Sequence, residues 1–321
     1  MSPSGGDRPE LSVLIPTHQR AELLPRVLRA WRDRLSGGPA AEIVVVDDGS
    51  TDDTPRVLAQ VADTFSGGDV PLRHARHANA GAAVTRNRAI DMARGRVLLF
   101  SDDDMVPDDP ALPRRHLAAQ ERLPGAWVSR LVVPDEVAET PFQHYWRRKL
   151  HAGTAQLADG TEMGRSGFWF ATLSLPRALL GDRRFSPAFD GYGWQDLELG
   201  YRLWRDGVRA RFLREATILH IDRVTFEAAQ SKYHRLGQRA WTFARLHPSL
   251  DVRIWTGTHP LSRLARRALL HPLRAARLRG RDVAELSDRQ IAVLLEVAYA
   301  RGLADGEPSP RGGVDTDGGD A

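Results

Sequence analysis

Short apolar runs separated by segments of helical periodicity constrain the fold of this chain most strongly. The runs cover residues 11–16, 43–47 and 97–101, and each is rich in Val, Leu or Ile and followed by polar turn residues. Runs of this length are typical of strands buried on both faces of a sheet. Helical patterns fill the chain between them, over residues 22–35, 54–65 and 82–93. The alternation predicts an α/β fold with a Rossmann-like, mostly parallel sheet and helices on both faces.

The pattern is less regular after about residue 125. Strands are predicted over residues 168–175 and 216–221, and a helix over residues 196–205, from the spacing of their apolar residues. Helical patterns dominate from residue 225 to about residue 303. The α/β region is therefore expected to continue into a helical C-terminal extension.

Composition and short motifs exclude several classes of protein. The chain has no cysteine, so a disulfide framework and a thiolate metal site are both excluded. The first strand is followed by neither a Gly-x-Gly-x-x-Gly turn nor a phosphate-binding loop with Gly-Lys, which argues against dinucleotide oxidoreductases and P-loop hydrolases. Only two of the 45 basic residues are lysines. We attribute that arginine excess to genomic base composition, with nucleic-acid binding as the weaker alternative, and expect no nucleic-acid partner.

The chain also lacks the sequence features of membrane-spanning or exported proteins. Residues 1–10 are polar and contain no apolar signal-peptide core. The longest apolar runs are far too short to cross a bilayer. A cytoplasmic protein is therefore expected.

Three adjacent carboxylates, Asp102, Asp103 and Asp104, follow the apolar run at residues 97–101. Neighbouring carboxylates repel one another unless water solvates them or a cation neutralises them. Two of them at positions i and i+2 suit one hard divalent cation, which prefers oxygen ligands and also binds the phosphates of a nucleotide. The alternative is a solvated acidic turn with a helix cap.

Two further polar clusters follow predicted strands or precede predicted helices. The carboxylate of Asp47, two residues before Gly49, is placed to accept hydrogen bonds from a base or ribose, although residues 50–52 also suit a helix cap. Gly81 permits a close backbone approach at a helix N-terminus, where an anion is favoured. Arg86 then suits a bidentate contact with a diphosphate, unless it is an ordinary surface residue.

Together these motifs resemble glycosyltransferase family 2. The resemblance rests on residues 13–20, 45–52, 79–87 and 100–104, which occur in the family's order. It implies the GT-A fold, a nucleotide diphosphate-sugar donor, a divalent cation (Mn²⁺ or Mg²⁺) and inversion at the anomeric carbon. The donor-binding residues that it implies are Pro16, Thr17, Arg20, Asp47, Asp48, Asn79, Gly81, Arg86, Asp102 and Asp103. The implied metal ligands are Asp104, Asp102 and His220, with a purely structural role as the alternative for His220.

The second half of the chain resembles the galactosyltransferase-type C-terminal half. The resemblance implies that Asp196 is the general base, with an N-cap of the following helix as the alternative. Related proteins usually have Glu where this chain has Gln195, and often Asn where it has Thr172, so both departures fall on the acceptor side. The implied acceptor contacts are Trp194, Gln195 and Trp169.

These residue types fit glycosyl transfer chemically. An acceptor hydroxyl is a poor nucleophile, and a carboxylate that removes its proton in the transition state contributes about 10²–10⁴-fold. A bound metal stabilises the charge on the leaving diphosphate. We therefore predict transfer from a nucleotide diphosphate-sugar, by family expectation a UDP-sugar, to a saccharide, lipid-linked or small-molecule acceptor. A non-catalytic nucleotide-sugar-binding protein is the alternative, because of Gln195.

The predicted organisation has five parts. They are a flexible N-terminus at 1–10, a nucleotide-sugar-binding half at 11–125, an acceptor and catalytic half of the same domain at 126–224, a helical region at 225–303, and a disordered tail at 304–321.

Residues 259–281 contain seven arginines and no acid, interleaved with leucines. We favour a helix packed on the domain with a solvated arginine face. The alternative is an amphipathic helix on the inner face of an anionic membrane.

Overall fold

The computed structural model describes residues 8–189, 191, 193–269 and 281–308 of the 321-residue chain. The predicted N-terminal and C-terminal flexible segments therefore lie mostly outside the described residues, as do residues 270–280. Contacts divide the chain into two units, Met1–Thr225 and Phe226–Ala321.

An eight-stranded mixed sheet organises the first unit, in the order β3-β2-β1-β4-β7-β6-β8-β5. Strands β1, β2, β3 and β4 run parallel, and β6 runs parallel to β8, whereas β7 and β5 pair antiparallel with their neighbours. The strands are β1 Leu11–Thr17, β2 Ala41–Asp47, β3 Leu72–Arg76, β4 Val97–Phe100, β5 Met105–Pro107, β6 Ala126–Val132, β7 Leu173–Pro176 and β8 Ala210–His220.

Helices of the first unit cover both faces of this sheet, as the sequence predicted. Successive side chains of a strand point to opposite faces. In β1, Val13 and Ile15 belong to the hydrophobic core that includes α1, α2 and α4. Leu14 belongs instead to the second core, which includes α3 and α7. The helices are α1 Leu24–Leu35, α2 Thr54–Asp63, α3 Ala82–Met92, α4 Leu112–Arg122, α5 Pro141–Ala152, α6 Arg177–Leu180 and α7 Gln195–Arg205.

The strands predicted in the second half of this unit differ from those observed. The strand predicted at residues 168–175 is wrong in extent, because only β7 at its end is extended and paired. Phe170 lies in a loop, where it packs edge to face against Phe100 and Phe185 with ring centroids 4.9 Å from each. The predicted strand at residues 216–221 is the second half of the longer β8. Aromatic burial produced a strand-like pattern without a strand.

Helices form the second unit among the residues that the structure describes there. Two glycines let α8 and α11 pack closely, because a Cβ at Gly237 would lie 2.1 Å from the carbonyl oxygen of Tyr299 and one at Gly302 would lie 1.9 Å from that of His234. The Tyr299 hydroxyl donates to the carbonyl of Thr256 over 2.6 Å. The helices are α8 Phe226–Leu246, α9 Leu250–Trp255, α10 Pro260–Leu269 and α11 Asp288–Asp305.

The structure confirms the α/β class, the mostly parallel sheet and the helical C-terminal region. No helix within the described ranges combines the length and the apolar character needed to cross a bilayer.

Candidate active site at the carboxyl ends of the strands

The loops that follow β1, β2 and β4 meet at one edge of the sheet. Parallel strands bring their carboxyl ends together there, where ligands of open α/β sheets bind. Gln19 ties the first two loops, because its backbone N–H donates to Ser50 Oγ over 2.9 Å and its side-chain oxygen accepts from the N–H of Thr51 and Asp52. His18 N–H reaches the carboxylate of Asp103 over 3.4 Å.

The acidic loop after β4 is buried, so a solvated turn is excluded. The side chains of Asp103 and Asp104 are each only 11% exposed. Burial, and for Asp103 also the neighbouring carboxylate of Asp104, raises the pKa of both groups, whereas the Arg20 guanidinium opposes the rise. Arg20 Nε lies 3.2 Å from Asp103, and Arg20 Nη2 lies 3.6 Å from Asp104. Arg20 therefore offsets part of the cost of burying these carboxylates, although burial keeps the pKa of both raised.

A metal ion would fit Asp104 and His220. The register of β5 on β8 sets Met105 opposite His220 and thereby leaves 3.6 Å between Asp104 Oδ2 and His220 Nε2. Asp104 Oδ1 and His220 Nδ1 are both buried and find no hydrogen-bond partner among the described residues. A carboxylate oxygen and an imidazole suit a transition metal such as Mn²⁺. Within the described ranges, no group of three or more acidic or histidine side chains is already arranged around a metal position.

Arg86 joins the acidic loop to the start of α7. Its Nη2 lies 2.6 Å from Asp102 Oδ1, and its Nη1 lies 3.0 Å from Asp196 Oδ1. The interpretation of Arg86 as a surface residue is wrong, because its side chain is only 6% exposed. The N-cap interpretation of Asp196 is also wrong, because α7 begins at Gln195 and the cap position is Trp194.

The carboxyl group of Asp196 is shifted towards neutrality. Burial raises its pKa to about 6, although the guanidinium of Arg86 opposes the shift. The side chain keeps 27% of its surface exposed, so surrounding protein atoms crowd it without sealing it from water. A carboxyl group with a pKa near the working pH and an open side is suited to receive a proton.

Asp47 and Asp48 are both held by the protein itself. Asp48 accepts hydrogen bonds from the N–H groups of Ala80 and Gly81 over 2.8 and 3.0 Å. Asp47 accepts from the N–H of Ser50 over 3.0 Å and lies 3.2 Å from Arg76 Nε. Both carboxylates therefore fix the loops that line the edge.

Several of the other predicted residues also have hydrogen-bond partners within the protein. The Asn79 side chain donates to the carbonyl oxygen of Asp48 over 3.2 Å. Pro16 and Thr17 end β1. Gln195 is 5% exposed, and its side-chain oxygen accepts from Gly193 N–H over 2.8 Å. Trp169 Nε1 donates to the carbonyl oxygen of Ser166 over 2.9 Å.

Asp222 belongs to this cluster, although sequence reasoning gave it no role. Its Oδ2 lies 3.2 Å from Arg20 Nη2, so Arg20 faces three carboxylates of the cluster. The available signal was an acid two residues after His220, at the end of a strand. A pairing between residues 202 positions apart is not visible in a local pattern.

The chain is similar in sequence to known proteins. The family model described as glycosyl transferase family 2 matches residues 12–174. Validoxylamine A glucosyltransferase from Streptomyces hygroscopicus subsp. jinggangensis (strain 5008) is 30% identical over 272 residues, which cover 75% of this chain and 62% of the relative. The same-named protein of S. hygroscopicus subsp. limoneus is also 30% identical, over 75% of this chain and 58% of its own. The chain thus spans about three fifths of the length of these curated relatives.

Solved structures share its fold. A mannosyltransferase from Pyrobaculum calidifontis, in complex with GDP-Man and Mn²⁺, superimposes with a TM-score of 0.61 at 20% identity and covers 94% of this chain and 88% of its own. GalNAc-T7 with UDP, GalNAc and Mn²⁺ gives a TM-score of 0.53 at 17% identity, over 68% of this chain and 44% of its own. The sheet and its helices are of the GT-A type. With its family model matched over residues 12–174, the chain belongs to glycosyl transferase family 2.

Proposed function

We propose that this chain is a metal-dependent, inverting glycosyltransferase that moves a sugar from a nucleotide diphosphate-sugar, a UDP-sugar, to an acceptor hydroxyl. The observation that supports this most is the position of Arg86 between Asp102 and Asp196. A buried guanidinium with two donor edges suits a diphosphate. It lies between the acidic loop and a carboxyl group suited to proton removal, which is the order that donor, metal and base require.

Asp196 is the proposed general base. Its carboxylate would take the proton of the acceptor hydroxyl as that oxygen attacks the anomeric carbon. Attack by the acceptor oxygen on the face opposite the leaving diphosphate would invert the anomeric configuration. The resemblance of residues 164–199 to galactosyltransferase-type enzymes supports the same role, with Trp194, Gln195 and Trp169 on the acceptor side.

Asp104, Asp102 and His220 would hold the divalent cation, Mn²⁺ or Mg²⁺. The unpartnered, buried Asp104 Oδ1 and the 3.6 Å between Asp104 Oδ2 and His220 Nε2 support this assignment, since a cation would satisfy a carboxylate oxygen that is otherwise costly to bury. When bound, the cation supplies Lewis-acid stabilisation of the charge on the leaving diphosphate.

The remaining strand-end residues form the proposed donor site. Arg20 and Asp103 would complete it beside the metal. Asp48 would position the donor site without contacting the donor, because its hydrogen bonds hold the loop that contains Asn79 and Gly81 in place. Pro16, Thr17 and Asp47 would line the nucleotide from the ends of β1 and β2.

The acceptor is proposed as a hydroxylated saccharide, lipid-linked saccharide or small natural product. The names of the Streptomyces relatives, which act on validoxylamine A, support the small-molecule case. We also propose peripheral contact with the cytoplasmic face of a membrane through residues 259–281, of which 270–280 lie outside the described residues.

Calorimetric titration with a panel of nucleotide diphosphates tests the donor site. Each nucleotide is added with Mn²⁺, with Mg²⁺ and with a chelator, to the native protein and to Asp104→Ala. We expect one nucleotide to bind only with metal, and the variant to lose that binding. Absence of nucleotide binding under every condition would refute the proposed donor site.

A further inference from the structure

Large aliphatic side chains are exposed on one stretch of the second unit. Among the described residues, five of the six large hydrophobic residues that are exposed fall between positions 246 and 264. Scattered exposed leucines are ordinary, but a concentration of them on consecutive helices marks an interaction surface. These five residues, which we name the aliphatic face, are Leu246, Leu250, Ile254, Leu261 and Leu264.

The helix α10 has its apolar side outward and its basic side inward. Leu261 and Leu264, three residues apart on one side, are 69% and 63% exposed. Arg263 pairs with Glu307 on the other side, and Arg266 pairs with Glu296. The favoured sequence interpretation, a packed helix with a solvated arginine face, is therefore wrong for Arg263 and Arg266, whereas the arginines between 270 and 280 lie outside the described residues.

Aromatic rings hold the inward arginines in place. The guanidinium carbon of Arg263 lies 5.4 Å from the ring centre of Trp241, and that of Arg266 lies 4.8 Å from the ring centre of Tyr299. Cation–π contacts of this length add to the ion pairs. With α10 anchored through its basic side, Leu261 and Leu264 remain largely exposed to solvent.

The preceding helix, α9, also has exposed aliphatic side chains. Leu250 and Ile254 lie one turn apart on α9 and are 61% and 53% exposed, whereas Val252 between them is buried. The exposed charged residues between positions 245 and 254 are Arg245, at the end of α8, and Asp251 and Arg253 on α9. Of the seven arginines in residues 259–281, Arg263 and Arg266 are paired inward, and those between 270 and 280 lie outside the described residues. Aliphatic side chains bordered by arginine suit a surface of acyl chains and anionic headgroups.

We propose that the aliphatic face lies on an anionic lipid bilayer, with the leucines inserted at the level of the headgroups and no helix crossing the membrane. This mode differs from an arginine-faced electrostatic helix, because the inserted residues are aliphatic. A surface of this kind would hold the enzyme where a membrane-bound acceptor is presented.

Co-sedimentation of the full chain with lipid vesicles tests the proposal. One set of vesicles contains phosphatidylcholine alone, and the other contains phosphatidylcholine with phosphatidylglycerol. We expect binding to the anionic vesicles to exceed binding to the neutral ones by roughly tenfold or more. Binding to neither set would overturn the proposal.

Paired substitutions locate the contact. We expect Leu261→Ser with Leu264→Ser, and separately Leu250→Ser with Ile254→Ser, to lower binding by roughly tenfold. The matched control is Leu123→Ser, which removes the exposed leucine of the first unit, 44% exposed, and should leave binding unchanged. Equal losses in the control and the paired variants would overturn the assignment.

Two further measurements on each variant show whether a loss of vesicle binding comes from the aliphatic face alone. Thermal unfolding and nucleotide binding of each variant in solution should match those of the native chain, since the altered side chains are exposed. This separates a failure of the membrane face from a failure of the proposed donor site. Light scattering that shows a dimer dispersed by Leu261→Ser with Leu264→Ser would assign the face to a second copy of the chain and overturn the membrane proposal.

Discussion

Arg86 donates a hydrogen bond to Asp196 although the two residues are 110 positions apart, with 3.0 Å between Nη1 and Oδ1. The same guanidinium bonds Asp102, so one cation connects the acidic loop to the proposed base. Free carboxylates at both positions would repel each other and any incoming diphosphate. Arg86 therefore lets two acidic groups share one site, and in the proposed function it would let them share it with an anionic donor.

Replacing Asp196 by Asn tests the general base. We expect transfer to fall by about 10²–10⁴-fold, because the amide cannot accept the acceptor's proton. Nucleotide binding should persist, since Asp196 is not assigned to the donor. Initial rates and calorimetry measure the two effects separately. The control is Asp206→Asn at the other end of α7, where the carboxylate is 49% exposed and pairs with Arg183. Transfer at the native rate by Asp196→Asn would favour a binding protein or a different base.

The pH dependence of transfer should follow the state of Asp196. A base acts only when deprotonated, and burial raises the pKa of this group to about 6. The rate should therefore be full above that pH and decline as the pH falls below it. In Arg86→Met we expect the decline to begin at higher pH, because Arg86 opposes the rise in the pKa. Arg86→Lys, which keeps the charge, should move the decline less. A profile that Arg86→Met leaves unmoved would contradict the coupling.

A side chain at Gly49 should destabilise the fold more than one at Gly67, because only Gly49 is packed against neighbouring backbone. Both glycines have positive φ, +70° and +76°, but a Cβ at Gly49 would lie 2.5 Å from the backbone nitrogen of Asn79, whereas one at Gly67 would meet nothing within 4 Å. Gly49→Ala should therefore lose about 1–3 kcal/mol of stability and weaken nucleotide binding. Gly67→Ala should lose only about 1 kcal/mol and bind normally. Denaturant unfolding and calorimetry compare them, and equal nucleotide affinity would count against the loop assignment.

His116 should make the fold sensitive to acid. It is fully buried between the hydroxyls of Ser129 and Ser174, each 2.8 Å from a ring nitrogen. Burial lowers its pKa to about 3. The unfolded chain takes up a proton near pH 6.5, whereas the folded chain does not, so this contribution to stability is present above about pH 6.5 and is lost as the pH falls towards 3.

The variant His116→Gln should reveal that contribution. We expect it to be less stable at pH 7 by about 1–3 kcal/mol, because the hydrogen bonds are imperfectly replaced. Its stability should fall less steeply with acid, by about 1.4 kcal/mol per pH unit within the window. Urea unfolding at several pH values measures the difference, and parallel curves would show that His116 does not titrate as expected.

The buried parallel strands were predictable, whereas the edges of the sheet were not. β1 and β2 are short, mostly apolar runs, and few elements other than a buried strand have such a sequence. β3 was not predicted, because it is a half-exposed edge strand and its sequence, Leu-Arg-His-Ala-Arg, contains few apolar residues. The start of α5 had a usable signal, the capping box of Thr140 and Gln143.

Several residues that meet at this edge were predictable from the sequence, but their pairings were not. Asp102, Asp104 and Arg86 were singled out from local motifs and Asp196 from the family resemblance; their roles stay predictions, while the structure brings Arg86 to Asp102 and Asp196. Which arginine lies against which carboxylate depends on distant segments of the chain, because β8 lies in the sheet between β6 and β5. Local patterns hold no information on that return, so Asp222 was missed.

Trp194 is one of two non-glycine residues with positive φ among those the structure describes, at φ 66°. Such a backbone favours Gly or Asn, and a bulky side chain there is strained. A library selected only for heat resistance should therefore replace this tryptophan by glycine or asparagine, and thereby remove an aromatic ring two residues from Asp196. With Trp194 in the proposed acceptor site, selecting this protein for robustness and selecting it for turnover would favour different residues at position 194.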